Sequence, residues 1–104
     1  MKDSLAILVS DEKFMHHVIS LTTAACQRGK RVYVLFTGRG VKLTGEPGFR
    51  FLEEKAQISI CEASFREHGP ADSWEKLHDA VSVYFVNQTQ HAELLEQVDR
   101  YIVF

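Results

Sequence analysis

The chain predicts an α/β fold: a three-layer α/β/α sandwich around a mainly parallel five-stranded sheet. Three observations carry this. Leu5-Ala6-Ile7-Leu8-Val9 and Val32-Tyr33-Val34-Leu35-Phe36 are apolar without alternation, as expected of strands covered on both faces. Between them Phe14, Val18, Leu21 and Ala25 recur at helical spacing. The 104 residues, 45% apolar and 25% charged, have the composition of an ordinary globular protein, which predicts one domain over 1–104 and argues against disorder or a fibrous architecture.

The first strand is expected inside the sheet. Ser10 or Asp11 is placed to cap a helix over about 11–28, with Met15, Ile19, Thr22 and Cys26 as a second stripe beside the first and Gly29 as its stop. The second strand runs into the turn Thr37-Gly38-Arg39-Gly40, and strand, helix, strand makes a right-handed crossover. Residues 42–48, with Gly45, Pro47 and Gly48, read as loop, and Phe49, Leu52 and Ala56 as a short helix. Gln57-Ile58-Ser59-Ile60-Cys61 alternates as a third strand, followed by a helical turn to His68 and a Gly69-Pro70 break. Trp74, Leu77, His78 and Val81 have helical spacing, and Val83-Tyr84-Phe85-Val86 forms the fourth strand. Thr89 is expected to cap a helix carrying Leu94, Leu95 and Val98, before a terminal strand Tyr101-Ile102-Val103-Phe104. Trp74, Phe14, Phe36 and Phe85 fit the core, whereas Phe49, Phe51 and Phe65 read as candidates for an interface.

Twelve basic against fourteen acidic residues give a net charge of -2 with no basic face, which argues against nucleic-acid binding. The longest apolar run, Leu5 to Val9, is far short of the ~20 residues a membrane helix needs. Met1-Lys2-Asp3-Ser4 does not open a signal peptide, so the expectation is a cytoplasmic protein with no membrane partner. There Cys26 and Cys61 are expected as free thiols, Cys26 packed in the core. No Cys or His pair has metal-ligand spacing, because His16 and His17 diverge by about 100° on a helix and His78 and His91 stand alone. Neither a metal nor a cofactor is expected.

In open parallel sheets the chemistry gathers beyond the carboxyl ends of the strands. That rule selects Ser10 and Asp11, Thr37 to Gly40, Cys61 to Ser64, and Asn87 with Gln88. Cys61 is the candidate catalytic residue, because it ends a strand and opens a helix, where backbone N–H groups favour a thiolate. Arg39, Ser64, Arg66 and His68 are candidates to bind substrate or to stabilise that thiolate. Thr37-Gly38-Arg39-Gly40 lacks the phosphate-loop and dinucleotide patterns and reads more readily as a tight turn.

With Cys61 so placed, the chain resembles the DsrE/DsrF-like sulfur-relay family, which includes TusD-type sulfurtransferase subunits. The likeness rests on element order, on Ile60-Cys61-Glu62-Ala63-Ser64-Phe65-Arg66-Glu67-His68-Gly69, on Phe36-Thr37-Gly38-Arg39-Gly40-Val41 and on Asp99-Arg100-Tyr101-Ile102-Val103-Phe104. It implies a DsrEFH-like domain whose Cys61 accepts sulfane sulfur as a persulfide and passes it to a partner thiol. It further implies sulfur donor and acceptor proteins as partners and a homo-oligomer, a trimer or hexamer. Two positions depart from the family pattern: Arg39 where many members carry an acid, and His68 where arginine is frequent.

The competing expectation is a non-catalytic oligomeric binding module in which Cys61 is a packing residue. Cys61 to Arg66 has the length of a rhodanese loop without its internal glycine. Flavodoxin and receiver-domain readings are weaker still, since Ser10-Asp11-Glu12-Lys13 is no phosphate loop and Cys61 stands where a receiver carries aspartate.

Overall fold

The apolar runs become five strands: β1 (Ser4–Val9), β2 (Arg31–Phe36), β3 (Gln57–Cys61), β4 (Val83–Val86) and β5 (Arg100–Val103). The computed structural model describes residues 3–70, 76–77 and 83–104. All pairings are parallel, in the order β4-β3-β2-β1-β5. The helices are α1 (Met15–Gln27), α2 (Phe49–Lys55), α3 (Glu62–His68) and α4 (Gln88–Gln97), with a 3-10 segment over Gly38–Gly45.

Strand order and crossover handedness together decide where the helices go. From β1 to β4 the chain steps steadily toward one edge, so right-handed connections keep α1, α2 and α3 on one face. The last connection returns from β4 across the sheet to β5 beside β1, and the same handedness sends α4 to the opposite face. The larger core lies under the first set, where Ile7, Val9, Val34, Phe36, Ile58 and Ile60 pack with Val18, Leu52 and Phe65. Beneath α4 a smaller core joins Ala6, Leu35 and Val98 to Leu8, Tyr33, Leu94 and Leu95.

Several local expectations are corrected. Helix α1 starts at Met15 rather than near 11, with Phe14 at its N-cap and no side-chain cap: Ser10 Oγ donates to the Phe104 carbonyl at 2.8 Å, and Asp11 Oδ1 accepts from the Lys13 N–H at 3.0 Å in a local turn that precedes the helix. The expected loop over 42–48 begins inside a 3-10 helix that buries Val41 and Leu43. Cys26 is exposed: α1 turns Val18, Thr22 and Ala25 inward, and Cys26 lies one residue round from Ala25. Phe49 and Phe65 belong to the core, and only Phe51 of that trio is exposed, at 50%. Leu77 is buried, while Trp74, His78 and Val81 lie outside the described residues.

Helix α4 is capped by Asn87, not Thr89. Asn87 Oδ1 accepts from the Gln90 N–H at 2.8 Å, and Gln90 Oε1 accepts from the Asn87 N–H at 2.9 Å, a reciprocal capping box that sets the first turn.

Two glycines draw the strand ends together. Gly38 adopts φ +53°, which turns the chain sharply after β2. A Cβ on Gly40 would overlap the Val9 carbonyl oxygen at the end of β1. Because that neighbour is backbone and part of the sheet, Gly40→Ala is expected to cost about 1–3 kcal/mol, the usual range for overpacking. An unchanged melting temperature would show that the turn can move away.

Candidate functional site

Adjacent strands whose following helices leave to opposite faces open a crevice at their carboxyl ends. Here those strands are β3, followed by α3, and β4, followed by α4. A cleft of about 430 Å³ lies at that point, lined by Cys61, Glu62, Ala63, Arg66, Val86, Asn87 and Gln88.

Cys61 is the last residue of β3 and the N-cap of α3. Alternation along β3 sends Ile58 and Ile60 into the larger core and turns Ser59 and Cys61 toward the α4 face. The residue is only 1% exposed. Burial pushes its thiol pKa up, but hydrogen bonds from the Ser64 hydroxyl and N–H, the Thr37 hydroxyl and the Ala63 N–H outweigh this and hold it below the ordinary value of 9.0.

The donors come from three chain segments. Ser64 Oγ accepts from the Gly38 N–H at 2.9 Å, so the left-handed turn after β2 fixes the hydroxyl of α3. Thr37 Oγ1 and Ser64 Oγ lie 3.5 Å apart. From the first residue of α4, Gln88 Nε2 donates to Thr37 Oγ1 at 2.9 Å and to Cys61 Sγ at 3.3 Å.

Of the four polar residues expected around Cys61, Ser64 sits in this cluster and Arg66 on the cleft wall. Arg66 Nη2 donates to Glu62 Oε1 at 2.8 Å, one helical turn away. Arg39 turns to the loop after β1, where Glu12 Oε1 accepts from its Nε at 3.0 Å and its Nη2 at 2.6 Å. That hydrogen bond keeps the Glu12 carboxyl below its usual range despite some desolvation, and Lys42 Nζ adds a second cation 3.6 Å from Glu12 Oε2. His68 ends α3, with Nε2 3.7 Å from Glu67 Oε1. The strand-end rule selects both Thr37 and Gln88, but nothing in the sequence pattern assigns either side chain to the sulfur. Among the described residues, no group of three or more His, Cys, Asp or Glu is arranged to hold a metal ion.

A five-stranded all-parallel sheet, with a crevice where α3 and α4 part, defines the molecule as a mixed α/β protein of DsrE-like fold. Among solved structures the chain is similar to the crystal structure of the YchN protein from E. coli, a protein of that fold. The TM-score is 0.64 over 100% of both chains, at 10% sequence identity, so the likeness is one of fold. No family model matches the chain, and no curated protein does. Among the described residues, no helix is long and apolar enough to cross a membrane.

Proposed function

We propose that the chain is a sulfur carrier or sulfurtransferase subunit that accepts sulfane sulfur on Cys61 and hands it to a partner thiol. The observation that carries this reading is the convergence of neutral hydrogen-bond donors on the sulfur of Cys61 at the floor of a cleft. A sulfur surrounded by donors is stabilised as the anion, and the anion is the nucleophile. The DsrE-like fold of the chain supports the same reading.

The chemistry closes without a cofactor. The Cys61 thiolate attacks the outer sulfur of a donor persulfide, a new S–S bond forms, the donor's S–S bond breaks, and the donor leaves as a thiolate. An acceptor thiolate then attacks the outer sulfur on Cys61 and regenerates the Cys61 thiolate. Each step exchanges one S–S bond for another, so no external oxidant or reductant enters. The relay needs a reduced thiol, which suits a cytoplasmic setting, with sulfur donor and acceptor proteins as partners.

In this reading Ser64, hydrogen-bonded to the sulfur, steadies the thiolate, and Arg66 on the cleft wall meets an anionic donor; Arg39, paired with Glu12, and His68, at the end of α3, are left as groups for a docked partner to meet. The 1% exposure of Cys61 favours a second reading, a binding module in which it only packs. Intact-mass measurement after incubation with a sulfane-sulfur donor decides between them. An adduct of about +32 Da that a thiol reductant removes, unlike a sulfinic acid of the same nominal mass, present in wild type and Cys26→Ser but absent from Cys61→Ser, supports the relay; no such adduct on natively folded protein favours the module.

We also propose that β5 is an interface between copies of the chain. It is an edge strand whose Tyr101, Ile102 and Val103 are 60%, 40% and 53% exposed, an apolar edge that folded proteins ordinarily cover. A trimer or hexamer by light scattering, reduced to monomer by Ile102→Lys, is the expected result. A wild-type monomer at all concentrations tested removes the interface.

A further inference from the structure

The carboxamide of Gln88 touches two members of the Cys61 cluster at once. Its Nε2 carries two hydrogens, and the two contacts, 2.9 Å to Thr37 Oγ1 and 3.3 Å to Cys61 Sγ, use one each. The consequence lies in the direction of the hydroxyls. A hydroxyl has one hydrogen to give, and once its oxygen accepts from an obligate donor that hydrogen must go elsewhere. Ser64 Oγ accepts from a backbone N–H that cannot reverse, and Thr37 Oγ1 accepts from an amide N–H. Both hydroxyl hydrogens are therefore free to point at the sulfur.

We propose that Gln88 is the positioning residue of the Cys61 site: it lends one hydrogen to the sulfur and, by donating the other to Thr37 Oγ1, turns the Thr37 hydroxyl toward the same atom. The capping box at Asn87 fixes the turn from which Gln88 reaches the strand ends, so the side chain works from a set base. The strand-end rule pointed to this position, and the orientation of the network gives it a role. The inference rests on the reading of Cys61 as the sulfur-handling residue.

The test is the pH profile of iodoacetamide alkylation at Cys61, measured in a Cys26→Ser background for Gln88, Gln88→Met and Gln88→Glu. Methionine keeps the length and removes both hydrogens. Glutamate puts acceptor oxygens where Nε2 stood, which reverses the Thr37 hydroxyl and sets a negative charge beside the sulfur. The midpoint is expected to rise in the order Gln, Met, Glu. The glutamate variant should shift by about one pH unit or more, which is roughly tenfold less thiolate at neutral pH.

A merely structural Gln88 would change the melting temperature and leave the midpoint in place, and that result overturns the proposal. Sulfur loading by intact mass, run on the same proteins, separates the two levels of inference. Loading with an unmoved midpoint rejects Gln88 and keeps the relay. A moved midpoint without loading in any protein keeps Gln88 as a residue that tunes the thiol and rejects the relay.

Discussion

Replacing Ser64 by alanine and Thr37 by valine together is expected to lower the thiolate share of Cys61 at pH 7 by about a hundredfold. Each substitution removes one hydroxyl that donates to the sulfur and holds its pKa down. A hydrogen bond to a charged group contributes about 1.5–3 kcal/mol, and one pKa unit corresponds to about 1.4 kcal/mol, so each loss is worth roughly one unit or more. Burial, the largest influence on this thiol, acts upward and is then less opposed.

The measured alkylation rate should fall by less than the thiolate share. A more basic thiolate is intrinsically more nucleophilic, with a Brønsted coefficient near 0.4–0.5, which returns about a factor of ten. About tenfold slower alkylation at pH 7, together with faster alkylation well above the new midpoint, is therefore the signature. Equal slowing at every pH would instead mean that the substitutions closed the cleft.

Stability follows the same linkage. The folded pKa lies below the ordinary 9.0, so between the two values the unfolded chain binds a proton that the native chain does not. This contribution is fully present above the unfolded value and is lost as pH falls through the folded one. The double variant should lose it, and urea melts at pH 7 and pH 9.5 should differ less for the variant than for wild type.

The parts of the molecule legible in the sequence are those decided by local physics. The strands follow uninterrupted apolar runs, and β3 ends at Cys61 as its alternation predicts. Misreadings arise where a distant group claims a local one. Ser10 is tied to the far end of the chain, its hydroxyl donating to the Phe104 carbonyl 94 residues on, and α1 starts only at Met15. Phe49 and Phe65 have no recognisable place until the crossovers put α2 and α3 over the larger core. Cys26 shares a helical stripe with Met15 and Ile19, but the helix rolls so that Ala25 takes the inward position. Cys61 could be singled out because a strand-to-helix junction is visible in one dimension. Thr37 and Gln88 could be placed at strand ends, but their convergence on one sulfur depends on β2, β3 and β4 lying side by side, which is a property of the sheet order.

His91→Leu is expected to make the protein more stable, and increasingly so as the pH falls. His91 lies one turn beyond Gln88 on α4, is 3% exposed, and neither ring nitrogen has a hydrogen-bond partner among the described residues. A buried polar atom left unpaired costs about 1–3 kcal/mol, so an apolar side chain at this position should recover at least about 1 kcal/mol at neutral pH, after allowing for imperfect shape. Burial also holds the His91 pKa below its ordinary 6.5. As pH drops from 6.5 toward the folded value, the unfolded chain takes up a proton that native His91 refuses, so wild-type stability falls across that window. The leucine variant has no such proton to take up. Urea melts at pH 7.5, 6.0 and 5.0 should show a gap between the two proteins that widens with acidity; a constant gap would mean that the imidazole finds a partner when protonated. Because α4 carries both the unpaired imidazole and the amide that reaches Cys61, acid weakens the seat of the helix that orients the site. A loss of Cys61 alkylation below pH 6.5 that is steeper in wild type than in His91→Leu would follow from that shared helix.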